Sequence, residues 1–238
     1  KRIFKNGKLN GVYYTFYQSG QISQKLSYVS GKLEGQYLKY NASGKMQQKG
    51  NYKNGKREGQ YLEFYNSGQL MYEENYINGK RDDINKLYFA NGNLQSKVYY
   101  NKGIQEGEYV LYYNDGKLFK KKNYISGKLE GKSKTYYSNG ELKKIENYKD
   151  NILNGNYFIY HKNQKLYEKG SYKDGQKEGE YEKYYNNGKL QEKGNYKDDL
   201  AEDEWLYYYD NNLLESKRIF KNGKLNGVYY TFYQSGQI

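Results

Sequence analysis

With 238 residues, a net charge of +13, 36% apolar residues and no cysteine, the chain can hold neither disulfide staples nor thiolate metal sites. Its mean hydropathy of −1.24 argues against a thick core, yet 35 tyrosines and 8 phenylalanines are far more than a disordered chain carries. Burial is therefore expected to be thin and aromatic, with rings packed and hydroxyls wet or hydrogen-bonded.

A 24-residue period runs through the whole chain without insertion or deletion. One glycine column reads Gly7, Gly31, Gly55, Gly79, Gly103, Gly127, Asn151, Gly175, Asp199 and Gly223. A second reads Gly11, Gly35, Gly59, Asp83, Gly107, Gly131, Gly155, Gly179, Asp203 and Gly227. A third reads Gly20, Gly44, Gly68, Gly92, Gly116, Gly140, Gln164, Gly188, Asn212 and Gly236. Apart from Gln164, the replacements are Asn and Asp, which tolerate the left-handed backbone of tight turns. The period overrides the one or two globular domains that length alone would suggest. It predicts a single continuous array over 1–238, nine units and a partial tenth.

Within a unit the pattern predicts a hairpin. A strand at Gln60–Tyr65 is followed by the turn Asn66-Ser67-Gly68, a return strand at Gln69–Tyr76, and a loop from Asn78 to Asp83. Alternation on the return strand would place Leu70 and Tyr76 on one face, with Met71, Glu73 and Asn75 on the other. Three columns are expected to form the buried ladder. The first is Ile22, Met46, Leu70, Leu94, Leu118, Leu142, Leu166, Leu190, Leu214 and Ile238. The second is Phe4, Tyr28, Tyr52, Tyr76, Tyr100, Tyr124, Tyr148, Tyr172, Tyr196 and Phe220. The third is Phe16, Tyr40, Phe64, Tyr88, Tyr112, Tyr136, Tyr160, Tyr184, Tyr208 and Phe232. The Tyr61 column admits Asn85, Ser133 and Trp205, and is expected to be half exposed. The chain has no proline, in keeping with an uninterrupted ladder. No stretch has helical periodicity, so the expected class is all-β: consecutive antiparallel hairpins in a twisted single sheet or β-solenoid-like fibre.

Asn-Gly-Lys, two residues, Gly, a Tyr-rich strand, Asn-Gly-Lys-Leu and a charged strand ending in Asn-Tyr together resemble MORN (membrane occupation and recognition nexus) repeats, in their bacterial variant. Lys177-Glu178-Gly179-Glu180-Tyr181 through Tyr184-Tyr185-Asn186-Asn187-Gly188-Lys189-Leu190 carries the resemblance best. It implies stacked hairpins, and use as a scaffold, a dimerisation platform or a lipid binder.

Residues 1–22 and 217–238 are identical and lie nine periods apart, whereas neighbouring units have diverged. This fits a nine-unit block repeated in tandem, a window onto a periodic fibre, or an engineered overlap. At about 4.8 Å per strand nine units would span roughly 86 Å, and about 20° of twist per strand would give about one turn. No apolar run approaches the roughly 18 residues of a membrane-spanning helix. The chain opens in mid-repeat without a signal peptide, and any targeting information is expected to lie outside it.

Catalytic, cofactor and metal sites are not expected. His161 is the one histidine, placed where other units carry Tyr17, Tyr65 or Tyr185, and reads as a substituted aromatic. The acids at Asp82-Asp83 and at Asp198-Asp199 with Glu202-Asp203-Glu204 read as solvated loop residues; a weak Ca²⁺ site is the alternative at the second group alone, which lacks EF-hand spacing. The glycine columns recur as turns and are not phosphate loops. Lysines beside tyrosines could neutralise and stack single-stranded nucleic acid, but interleaved acids and an even charge argue against it. Anionic lipid fits the charge, with no amphipathic element behind it. The expectation is a non-enzymatic, extracellular or surface protein. It would associate with itself end to end or face to face, adhere to other surface proteins, and form a segment of a long β-fibre. A cytoplasmic scaffold for a protein partner or anionic lipid is the alternative.

Overall fold

One hairpin shows how the sequence builds the fold. Strand Gly59–Phe64 runs out and strand Leu70–Ile77 returns, one residue displaced from the expected bounds. Between them Gly68 donates its N–H to the Tyr65 carbonyl, and Tyr65 donates to the Gln69 carbonyl, both at 2.8 Å. This is a three-residue loop closed by a left-handed residue, which Gly68 supplies at φ +95°. After the return strand, Asn78 (φ +52°) and Gly79 (φ +78°) form a two-residue turn with both residues left-handed. That conformation selects Asn-Gly over almost any other pair. Lys80–Arg81 then pairs back on Tyr76 and Ile77, and Asp83–Tyr88 continues along the same strand edge. Each return strand is thus flanked by its own outgoing strand and by that of the next repeat.

The structure is a computed structural model and describes residues 3–235. Gly236 and Ile238, each the last member of a column, lie outside the described residues. The chain divides into two compact units, Lys1–Lys117 with Tyr124–Gly127, and Leu118–Asn123 with Lys128–Ile238. In the first, the hairpins pair antiparallel in sequence order from Gly11–Phe16 to Ile104–Tyr112. In the second, they do so from Gly131–Tyr136 to Leu214–Lys221. Among the described residues there is no helix.

Every described member of the three glycine columns is left-handed, the Asn, Asp and Gln replacements included. Gly7, Gly31, Gly55, Gly103 and Gly127 close the two-residue turns. Gly11, Gly35, Gly59 and Gly131 open the outgoing strands, Gly107 lies within the longer strand Ile104–Tyr112, and Gly20, Gly44, Gly68, Gly116 and Gly140 close the hairpin loops.

The face assignment needs correcting. Phe64 opposes Leu70, but the next pair is Glu63 with Tyr72, so Met71 is an extra residue, a β-bulge. The bulge moves Leu70 to the Phe64 face, while Tyr76, opposite Gly59, lies on the face of Tyr61. The buried ladder is corrected as well. Of the expected residues, Tyr76 is buried. Tyr40, Phe64, Tyr88, Tyr112, Tyr136, Tyr160, Tyr184 and Tyr208 are half-buried, as are Tyr28, Tyr52 and Tyr124, and Leu70, Leu118, Leu142 and Leu190. Phe16 is 59% exposed. The core is instead the Tyr61 column: Tyr61, Asn85, Ser133, Tyr157, Tyr181 and Trp205 are all buried, and Trp205 is 3% exposed. These residues sit mid-strand, covered on both sides, whereas the Phe64 column lies beside the hairpin loop, where cover runs out.

Candidate functional site

The candidate site is the face of each unit that carries the Tyr61 column. Its packing is decided by the residue on a flanking return strand, either across the ring's own hairpin or in the repeat before it. Tyr37 faces Gly50, Tyr157 faces Gly170 and Tyr181 faces Gly194. A Cβ built on Gly50 would stand 2.2 Å from the Tyr61 ring, one on Gly170 2.9 Å from the Tyr157 ring, and one on Gly194 2.2 Å from the Trp205 indole. None of these glycines is left-handed. They are there because an aromatic ring lies flat on the backbone.

In the first unit this face carries a charged cluster. Tyr61 faces Glu74, which is 5% exposed. The carboxylate is held by Arg81 (Nη2 at 2.7 Å and Nε at 2.8 Å) and accepts the Tyr76 hydroxyl at 2.9 Å. Arg57 donates to the Tyr76 hydroxyl at 2.8 Å and lays its guanidinium 3.8 Å from the Tyr61 ring centre. A buried carboxylate is tolerated only with such a set of donors. Burial pushes the Tyr61 phenol well above its usual range, against the opposing pull of the Arg57 guanidinium. One repeat on, the column holds Asn85. Its Oδ1 accepts the Asn75 N–H at 3.0 Å and its Nδ2 donates to the Asp83 carbonyl at 3.2 Å. Beside it lies a cavity of about 170 Å³.

In the second unit the rings continue. Tyr181 lies 5.3 Å from Tyr196 and 5.5 Å from Trp205, and Trp205 lies 5.0 Å from Tyr196. The Lys177 ammonium is 5.0 Å from the rings of both Tyr181 and Tyr196, and 3.7 Å from Glu168. Tyr157 donates its hydroxyl to Glu168 at 2.7 Å and Tyr181 to Glu192 at 3.1 Å. Burial first, then the neighbouring carboxylates, drives both phenols far above their ordinary value. They are permanent neutral donors, with no proton to exchange near neutral pH.

The opposite face carries ion pairs. Glu73 receives Lys86 and the Tyr88 hydroxyl, both at 3.0 Å, and Glu182 receives Lys169 at 2.8 Å and the Tyr184 hydroxyl. Burial alone would raise both carboxyls, but these donors outweigh it and hold them below the usual range.

Two further columns join successive repeats. The carboxylates of Glu34, Glu58, Asp82 and Glu106 accept the N–H groups of Asn54, Asn78, Lys102 and Ser126, each twenty residues on, at 2.7–2.8 Å. Glu130, Glu178 and Glu202 do the same for Asp150, Asp198 and Asn222 in the second unit. Their 24-residue recurrence was the signal that could have found them. The other column is Tyr17, Tyr65, Tyr137, Tyr185 and Tyr209, whose hydroxyls donate to a carbonyl of the next repeat at 2.7–2.9 Å. His161 takes that place in its own repeat: Nε2 bonds the Tyr184 carbonyl at 3.1 Å and the ring stands edge-on to Tyr167. Three of the five acids read as a Ca²⁺ candidate are already engaged. Asp199 accepts the Lys177 N–H at 2.7 Å, Glu202 caps Asn222, and Glu204 pairs with Lys217. Among the described residues no group of three such side chains could hold a metal ion.

Fold and face together define a hairpin-repeat protein whose recurring residues make turns, caps and ring contacts. The sequence pattern of the MORN repeat variant matches residues 9–30, 33–54, 57–78, 84–102, 105–126, 129–150 and 177–198, more than half the chain. The chain belongs to this family of repeats, and is a repeat scaffold. No curated protein matches the sequence. Among solved structures it is similar to the crystal structure of TcdB2-TccC3-Cdc42, with 14% identity and a TM-score of 0.22 over 91% of this chain. It is also similar to that of TcdB2-TccC3, with 14% identity and a TM-score of 0.21 over 87% of this chain. The structure of the Photorhabdus luminescens Tc holotoxin pore matches at 13% identity, TM-score 0.21, over the whole chain. The chain spans only 14%, 15% and 16% of those chains, and TM-scores at this level carry no argument about function.

Proposed function

We propose that this scaffold is non-enzymatic and works by associating end to end with further copies of its own sequence, as a structural filament at a cell surface. The observation that carries the reading is the interchangeability of residues 1–22 and 217–238, which are identical. Residues 217–235 dock on the preceding repeat through defined contacts. Asn222 donates its N–H to Glu202 at 2.7 Å, Gly223 to the Ala201 carbonyl at 2.9 Å, and the Phe232 carbonyl receives the Tyr209 hydroxyl at 2.9 Å. Asn6, Gly7 and Phe16 of a second copy present the same groups in the same order. Residues 3–17 in turn support the repeat that follows them: the Leu9 carbonyl accepts the Gly31 N–H at 2.8 Å and Tyr17 donates to the Tyr40 carbonyl at 2.7 Å. One segment can therefore serve as the last repeat of one copy and the first of the next. Val12, Phe16, Val228 and Tyr230 are exposed apolar residues in these segments, and repeat arrays expose such residues where a neighbour or a cap belongs. Exposed tyrosines and lysines along such a filament would be available to other surface proteins.

Sedimentation velocity of the purified chain over a hundredfold concentration range, with electron microscopy of the same samples, tests this. Growth of multiples of the monomer into filaments is expected, together with undiminished or faster growth when residues 217–238 are deleted, since residues 1–22 of the next copy then fill the vacated place, and inhibition by a peptide of residues 1–22. A monomer at every concentration, with no filaments on the grid, overturns it.

A further inference from the structure

The Tyr61 column shows what the fold does with a phenol ring at this position. In the repeat of Tyr61 the ring lies 3.8 Å beneath the Arg57 guanidinium. In three other repeats the ring's hydroxyl donates to the side chain eleven residues on: Tyr37 to Gln48 at 3.3 Å, Tyr157 to Glu168 at 2.7 Å and Tyr181 to Glu192 at 3.1 Å. At Asn85 the residue is small and the arginine of that frame is kept, while the flanking return-strand positions carry Glu74 and Val98 in place of a glycine. Arg81 is the counterpart of Arg57, and its guanidinium has the Tyr100 ring at 5.7 Å. Ser96, 8% exposed, stands eleven residues on, at the position of the acceptors Gln48, Glu168 and Glu192. Asn85 itself is tied back to the main chain by its amide. The space left is a cavity of about 170 Å³, open to solvent and lined by Arg81, Asn85, Ser96, Val98, Tyr100 and Tyr109 among others. Apolar cavities on the order of 150 Å³ take one benzene ring.

We propose that this cavity is a binding site for a phenol ring, the side chain of a tyrosine or a small phenolic compound. The ring enters edge-first beside Tyr100 and Tyr109, with one face against the Arg81 guanidinium and its hydroxyl towards Ser96. The site completes a ring ladder that the chain itself interrupts, and the guanidinium favours a π-face over an aliphatic group. This assignment is independent of the filament reading, since every lining residue lies within the first unit.

The probe is p-cresol, titrated into the full chain and followed by amide and side-chain-amide chemical shifts, with N-acetyl-L-tyrosinamide as a second ligand. Saturable one-to-one shifts centred on Asn85, Ser96 and Tyr100 are expected. Toluene should bind more weakly, and Arg81→Leu, made on a Glu74→Gln background so that no buried carboxylate is orphaned, should weaken p-cresol about three- to tenfold relative to Glu74→Gln alone, the range of a cation–π contact. Asn85→Tyr, which supplies the ring in cis, should abolish binding. If that variant loses its β-sheet circular dichroism, Ser96→Leu blocks the cavity from the neighbouring strand and must give the same loss. Binding of the tyrosinamide assigns the site to a tyrosyl side chain, and binding of p-cresol alone assigns it to small phenols. Shifts that never saturate, or that persist unchanged in both blocking variants, overturn the proposal.

Discussion

The same face of the repeat is filled in two ways, and although each unit uses both, since Glu146 is a buried carboxylate of the second unit, one region of each shows its own way best. In the second, aromatic rings press on glycines: Trp205 lies against Gly194 and Tyr157 against Gly170. In the first, Tyr61 lies on Gly50, but its own cross-strand partner is a buried carboxylate, Glu74, clamped by Arg81 and Tyr76. Ring on glycine maximises contact and leaves only the ring's own hydroxyl or N–H to satisfy, as Tyr157 does on Glu168 and Trp205 on the Asn195 carbonyl. The ionic arrangement satisfies every polar atom through a network that fails if one member is lost. The same backbone accommodates both because the choice lies in the two return-strand residues that flank each ring position.

The most disruptive test of the comparison is Gly194→Val. The indole it would strike is held from three sides, so about 3 kcal/mol of stability should be lost, at the upper end for overpacking. Urea unfolding measures this, and the emission of Trp205, the chain's single tryptophan, should shift to the red. Glu74→Ala attacks the ionic arrangement. Because Arg81 keeps 47% of its side chain in solvent, the loss should be about 2 kcal/mol rather than the full cost of an orphaned buried charge. The native Trp205 emission should stay as it is. An unchanged urea midpoint would show that the network adds nothing beyond its own desolvation.

Acid should affect both units alike, through the opposite face. Glu73 and Glu182 are held below the usual carboxyl value of 4.5 in the folded state. Their stabilisation is therefore fully present above the unfolded value and is lost as pH falls from about 4.5 through their lowered folded values. Glu73→Gln and Glu182→Gln should each flatten the fall in urea midpoint between pH 5 and the acid limb. A fall of unaltered steepness in the double variant would place the acid sensitivity elsewhere. The smallest effects belong to the hairpin loops. Gly68→Gln in the first unit and Gln164→Gly in the second exchange residues at φ +95° and φ +64°, and should move stability in opposite directions by about 1 kcal/mol.

The turns were legible because a left-handed backbone restricts the choice of residue, so Gly55, Asn151 and Asp199 announce themselves. The hairpins followed from the same punctuation. The buried column was misread because Tyr61, Asn85, Ser133 and Trp205 vary too much to look like a core when read alone. They vary together with the residue thirteen positions on, Glu74, Val98, Glu146 and Arg218, across the hairpin. Only the pair has a steady packing requirement. The bulge at Met71 was invisible, since an extra residue in one strand leaves no mark on a 24-residue period, yet it carries Leu70 to the other face. The ring-sized cavity at Asn85 followed from neither turn nor period, because it needs Arg81 and Ser96 to be seen together.

The carboxylate caps have a direction. Glu34 receives the N–H of Asn54, Glu58 that of Asn78, and Glu130 that of Asp150. In each case the acceptor comes twenty residues earlier in the chain than the donor. A repeat leaving the ribosome therefore finds its acceptors already in place on the repeat before it and can settle at once. The array is suited to being laid down course by course during synthesis, with short-range closures at every step. A nascent-chain arrest series that showed force only after several repeats had emerged together would contradict this order.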